Sequence, residues 1–186
     1  VTHSGQSVLV EDTAETIGSD IVYSRIDLDG TESITEVTVT GFAVGSVVTY
    51  NDVAGNLQTL NITAGTETIT LSGPKTAAGE AAIRTALDTL NIDPPAESDV
   101  NFELTVSATT TDNDASTNTT TWQHAVIIQA FADAPAIDAD NITGNEDTAV
   151  ALTIRADRSS DGNQDNSETL SVRLTLPQDG GNPIGD

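Results

Sequence analysis

Phe102-Glu103-Leu104-Thr105-Val106-Ser107-Ala108 alternates apolar and polar residues and runs into the loop Thr109-Thr110-Thr111-Asp112-Asn113-Asp114. Successive side chains on a strand point to opposite faces, so a period of two reads as a half-buried β-strand. Beyond the loop, Trp122 to Phe131 reads as another long strand, with the sole tryptophan packed in the core or at an edge. Toward the N-terminus, Pro94-Pro95 closes a segment of different period. Ala77 to Leu90 is alanine-rich with Ile83, Leu87 and Leu90 at helical spacing, which predicts one short amphipathic helix lying as a lid over one edge of the sheets. Further upstream, strands are expected at Val47–Tyr50, Leu57–Thr63 and Thr66–Leu71, with Asn51 to Gly73 a hairpin-rich meander. Others are expected at Ile34–Val39, at Ile21–Ile26, and at residues 1–10, where Val8 and Val10 alternate. Many short strands punctuated by turn residues are the signature of an antiparallel β-sandwich, so the fold class is all-β with one short helix.

A second pattern divides the chain. Glu11-Asp12-Thr13-Ala14 is followed sixteen residues on by Asp27-Leu28-Asp29-Gly30-Thr31-Glu32, and Glu146-Asp147-Thr148-Ala149 by Asp161-Gly162-Asn163-Gln164-Asp165-Asn166-Ser167-Glu168. An alternating apolar run follows each loop: Ile34 to Val39, then Leu170 to Leu176. An offset of 135 residues at Glu-Asp-Thr-Ala and 136 at the loop glutamate implies tandem units of one kind. Residues 1–136 are then one complete repeat. Residues 137–186 are the N-terminal part of another, expected to come from a longer chain and to leave the strands at Val150–Ile154 and Leu170–Leu176 without an opposing sheet. Sixteen extended residues would span roughly 50 Å, so the path from Glu11 to Asp27 must turn. A turn at Gly18 brings Glu11 near Asp27; a turn near Thr13 sends it to the opposite end.

Acidic side chains on a tight, glycine-containing turn can present several oxygens to one point, which suits the six to eight oxygen ligands of Ca²⁺. Asp, Gly and Asn also favour plain solvated turns; recurrence at domain spacing favours calcium. The candidate ligands are Glu11, Asp27, Asp29, Glu32 and Asp112 in the first unit and Glu146, Asp161, Asp165 and Glu168 in the second. Six basic residues against 29 acidic give a formal net charge of −23. Nothing in that balance could neutralise phosphates, which argues against nucleic acid. Charge so one-sided strains a compact state, and divalent cations would relieve it. Disulfides are excluded by the absence of cysteine, which leaves metal as the staple of an extracellular domain. No apolar run approaches a membrane span, and no signal peptide opens the sequence. His3 and His124 sit in no catalytic motif, and the carboxylates lie in turn-like loops with few aromatics near them, so the chain reads as non-enzymatic.

Glu11, the Asp27-x-Asp29 pair, the strand end Ala108 to Asp112 and the exit Asp133-Ala134-Pro135 together resemble cadherin-type and bacterial Ig-like repeats. Glu146 to Val150, Asn166 to Val172 and Pro94 to Asp112 look most like the extender repeats of giant bacterial RTX-type adhesins. The resemblance implies Ig/cadherin-like sandwiches stacked end to end on the cell surface, in biofilm adhesion, with neighbouring repeats of the same monomeric chain as partners. It also implies calcium near the junctions, with Asp133 and Asp138 as candidate linker ligands. The linker is less acidic than a cadherin's, and the glycine-rich nonapeptides of RTX tails are absent. The expected function is a calcium-stabilised spacer, rigid where extracellular calcium is abundant. The alternative is a sugar- or peptide-binding module of the same kind of adhesin, which would need exposed aromatics beside an open calcium site.

Overall fold

A computed structural model describes residues 1–26, 30–132, 134–145, 147–158 and 169–175, with the backbone of 178–179 and 182–183. The chain divides into two compact units, Val1–Phe131 and Ala132–Asp186. In the first, β1 (Thr2–Ser4), β2 (Gln6–Val10), β3 (Glu15–Thr16), β4 (Val22–Ser24), β5 (Ser33–Thr40), β6 (Val47–Asn51), β7 (Leu57–Asn61) and β8 (Ile69–Ser72) precede helix α1 (Ala77–Asp88). Strands β9 (Asn91–Asp93), β10 (Phe102–Thr111) and β11 (Thr117–Gln129) follow it. They build a five-stranded sheet, β2-β11-β10-β5-β8, and a four-stranded sheet, β3-β9-β6-β7, while β1 and β4 form a separate ladder. Every pairing in this unit is antiparallel except β2 with β11.

The alternation read in the sequence becomes the core. Val37, Val39, Leu104, Val106, Ala108 and Val126 of the larger sheet are buried in one cluster with Val48 and Ile92 of the smaller sheet. The first unit is therefore an all-β sandwich with one short helix. Helix α1 starts where the Thr76 side chain accepts from Gly79 N at 3.0 Å, satisfying one of the amides that a helix start leaves open. It buries Ile83, Ala86 and Leu87 and packs on β5, β8 and β6, closing the sandwich at the β8 edge.

Three details depart from the sequence reading. In β2 the inward residues are Ser7 and Leu9, whereas Val8 points outward at 44% exposure, so the strand has the opposite phase. The outward phase has a physical cause, because Val8 lies in register with Ile127 of β11, an apolar pair on the outer face. Residues 51–73 are not one meander: β6 and β7 form a hairpin, but β8 crosses to the other sheet and pairs with β5. The helix ends at Asp88, before the prolines, because Leu90 and Ile92 are drawn into the core as β9 joins β6.

The chain reverses at Glu11–Asp12, where Asp12 adopts φ +55, and crosses to the smaller sheet as β3. It then makes a single 3-10 turn at Gly18–Asp20 and continues into β4. This settles the polarity of the acidic loops. Glu11 follows the end of β2, beside the end of β11, whereas Glu32 and Asp112 flank the rung Ser33–Thr111 at the far end of β10.

In the second unit, β12 (Ala136–Ala139) pairs antiparallel with β13 (Ile154–Asp157), and β14 (Gln178–Asp179) with β15 (Asn182–Pro183). None of its described residues is buried. Of the residues expected as strand, 150–153 and 170–175 carry no strand pairing, and Val150, Leu152, Val172 and Leu174 are exposed. Alternating apolar residues hold a strand in a sheet only when a facing layer covers them.

Candidate functional site

Three of the candidate carboxylates that the structure describes, Glu11, Glu32 and Asp112, lie at two ends of the first unit. At the end where β2 and β11 finish, Glu11 is only 3% exposed. Its amide donates to Gln129 O at 3.1 Å, and its Oε1 accepts from the amide of Phe131. Burying a carboxylate is costly unless hydrogen bonds or opposite charge compensate; here one bond comes from the residue at which the chain leaves the unit. Around it, Glu15 Oε1 accepts from Val10 N at 3.3 Å and Asp12 Oδ1 from Glu97 N at 2.9 Å. Carboxylates thus tie the entering strand, the turn and the loop before β10 to one another.

At the opposite end, Glu32 and Asp112 are half-buried. Glu32 offers its backbone oxygen to Arg25 Nη1 at 2.5 Å, and Arg25 Nε lies 3.3 Å from Glu80 Oε1. Asp112 opens the β10–β11 turn. Its amide donates to Ser116 O and its carbonyl accepts from Ala115 N, both at 2.9 Å, while its Oδ1 accepts from Asn113 N. Asp114 Oδ1 accepts from Ser116 N at 2.8 Å. Hydrogen bonds from the Ser116 hydroxyl and amide, with a smaller contribution from Lys75, hold the Asp114 carboxyl below its ordinary pKa. Lys75 Nζ itself donates to Asn113 Oδ1, so a tethered cation already sits in this acidic corner.

The β6–β7 turn repeats the backbone of the β10–β11 turn. Asp52 N donates to Asn56 O and Gly55 N to Asp52 O, both at 2.9 Å, with Gly55 at φ +87 where Ala115 has φ +69. Asp52 Oδ1 also accepts from Ala54 N and Asn56 N at 2.9 Å, and the bond from the Asn56 amide is the first cause of its lowered pKa. Glu67 staples another loop, accepting from Thr63 N at 2.8 Å, Thr63 Oγ1 at 3.0 Å and Ala64 N at 3.1 Å. Led by the Thr63 amide, these bonds bring its pKa down to about 2. Sequence reasoning overlooked these staples. For the turns that open at Asp52 and Asp112 the available signal was an Asp followed three residues later by Gly or Ala between alternating runs, which marks a turn that its own first side chain can close.

Among the described residues, no three His, Asp or Glu side chains come together in a way that could hold a metal ion. Glu11 is separated from Glu32 and Asp112 by the length of β10, while those two share an end. Asp138, in β12 of the second unit, is exposed and in register with Arg155, beside a small depression also lined by Asp140 and Thr153. Asp27, Asp29, Asp133, Glu146, Asp161, Asp165 and Glu168 lie outside the described residues. One feature does recur between units. Asp147, 135 residues after Asp12, adopts φ +59 against +55.

Both histidines make contacts within the first unit. His124 is buried, its Nε2 is 2.9 Å from Ser7 Oγ, and burial lowers its pKa, with Asp20 opposing. His3 stacks on Trp122 with ring centroids 5.0 Å apart. No helix among the described residues is long and apolar enough to cross a membrane. Comparison with known proteins found no matching family model, no matching curated protein and no matching solved structure.

Proposed function

We propose that this chain is a calcium-stabilised structural spacer of a large cell-surface adhesin, made of tandem Ig/cadherin-like repeats. The observation that carries the reading is the recurrence of Glu-Asp-Thr-Ala at a spacing of 135 residues, with the aspartate in the same left-handed conformation both times. Non-glycine residues adopt that conformation rarely, so its return within the same four residues favours one local design used twice. The ladders agree in kind: β1 pairs antiparallel with β4, and β12 with β13, although with 135 subtracted the second register differs by three residues.

Calcium enters as the ion that such an acidic chain needs. Glu11 lies buried where the first unit ends, and Glu32 and Asp112 share the other end with the Asp27-Asp29 loop adjoining in sequence. The choice of these carboxylates as ligands rests on the sequence. Calcium at these loops would stiffen an array of acidic units outside the cell and leave it loose where calcium is scarce.

Thermal unfolding in millimolar CaCl₂, in excess EDTA and in MgCl₂ tests the proposal. A melting temperature higher by more than about 5 °C, in calcium alone, is the expected result for an ion bound to the folded state. Identical melting in all three would leave the acidic loops as turns and remove the mechanism. With the shift established, Asp27→Ala and Asp29→Ala are expected to reduce it.

A further inference from the structure

The outward face of the five-stranded sheet differs from the rest of this acidic chain. Leu104, Val106 and Ala108 of β10 point into the core, which turns Thr105, Ser107 and Thr109 outward. The registers align Thr70, Thr38, Ser107 and Thr121 in one row across β8, β5, β10 and β11. Hydroxyls within this lattice bond to one another or to a neighbouring amide: Ser107 to Thr121 at 2.7 Å, Thr109 to Thr119 at 2.9 Å, and Thr105 to Gln123 at 2.9 Å. Toward β2 the face becomes apolar, at Val8 and Ile127. Across all five strands its only charged residues are Glu36, which accepts from Ser72 Oγ at 3.1 Å, and Glu103. The whole chain carries −23.

We propose that this face is a self-association surface, on which a second copy of the chain docks face to face about a two-fold axis near Ser107. Charge selects the surface: two such acidic molecules repel wherever carboxylates approach, and this is a broad area that brings only Glu36 and Glu103 of each copy into the contact. Shape selects the partner. Adjacent strands rotate by about 20–25°, so a five-stranded sheet turns through roughly 90° and cannot match a flat solid. A second sheet with the same twist can lie over it about 10 Å away. A sugar polymer is a poorer fit, because the hydroxyls are already bonded to one another and the face has no aromatic ring to stack on; Trp122 points inward. At ordinary strand spacing the face covers roughly 600 Å², somewhat less than the ~800 Å² per partner of a standard interface. The contact is therefore weak and reversible.

Sedimentation equilibrium of the whole chain over a wide concentration range, at low and at high NaCl, tests this. The expected result is a mass that climbs toward twice the chain mass with concentration. Salt should promote the association, because it screens the net repulsion and there is no ion pairing to weaken. Ser107→Glu is expected to stay monomeric, whereas Thr59→Glu, which adds the same charge at an exposed position of β7 in the other sheet, should associate like the unmodified chain. Labelled Ser107→Glu should regain the dimer mass when mixed with Ser107→Lys, which also shows that both variants fold. A chain monomeric at every concentration would overturn the proposal, as would a Ser107→Glu variant that associates normally or a mixture that stays monomeric. Retention of a monomeric chain on a neutral polysaccharide matrix, lost in Ser107→Glu, would overturn it in favour of a glycan.

Discussion

Ala115 stands at φ +69 in the β10–β11 turn, where the equivalent turn between β6 and β7 has Gly55. A Cβ is strained in that conformation, so Ala115→Gly is expected to stabilise the unit by about 0.5–1 kcal/mol, the relieved strain exceeding the added flexibility of the unfolded chain. Differential scanning calorimetry would show a rise of about 2 °C. At His124 the governing effect is burial, which lowers the pKa from 6.5. The unfolded chain binds the proton more readily than the folded one. Its contribution to stability is therefore full above pH 6.5 and is lost as pH falls from there through the folded value. His124→Phe should flatten that limb of the pH–stability curve, measured by denaturant unfolding. Glu67 gives a second limb, because its folded pKa is about 2 against 4.5. Its three hydrogen bonds support the 63–67 loop above pH 4.5 and are released as pH falls toward 2, which the chemical shifts of the Thr63 and Ala64 amides would follow.

Most of the elements were legible because the larger sheet has one face in the core, and burial then imposes the period of two seen in β5 and β10. The phase of β2 was not, because an edge strand can carry an apolar residue on its outer face; Val8 does so beside Ile127. The turn after β2 was half legible. A glycine is the usual mark of a reversal, and Gly18 stood ready for it, yet the chain reverses at Asp12, whose short polar side chain tolerates φ +55. Gly18 is small for a different reason: a Cβ there would lie 1.8 Å from the carbonyl oxygen of Leu87, so the helix packs directly against the turn backbone. Arg84 completes that contact, donating to Gly18 O at 2.6 Å and to Ile21 O at 2.8 Å. Gly18→Ala should therefore cost about 3 kcal/mol, read as a lower denaturant midpoint with unchanged slope. Thr76→Ala, which removes only the helix cap, should cost about 1 kcal/mol.

For the whole molecule, an acidic chain was legible from composition, and carboxylates at the unit's ends from the turn signals around them. The partition of those ends was not, because it depends on where one turn falls. Glu11 and Glu32 are 21 positions apart, and only the folded path puts the length of β10 between them. Burial of Glu11 was equally hidden, since nothing in its sequence neighbourhood reports that Phe131 N reaches it. The parallel pairing of β2 with β11 has a mechanical consequence. The chain enters β2 at one end and leaves β11 at the other, so tension on the termini of the first unit runs along both strands in opposite directions. The ladder from Gln6–Ala125 to Val10–Gln129 is then loaded in shear. Its hydrogen bonds must give way together instead of unzipping singly, which makes β2 and β11 a clamp against pulling.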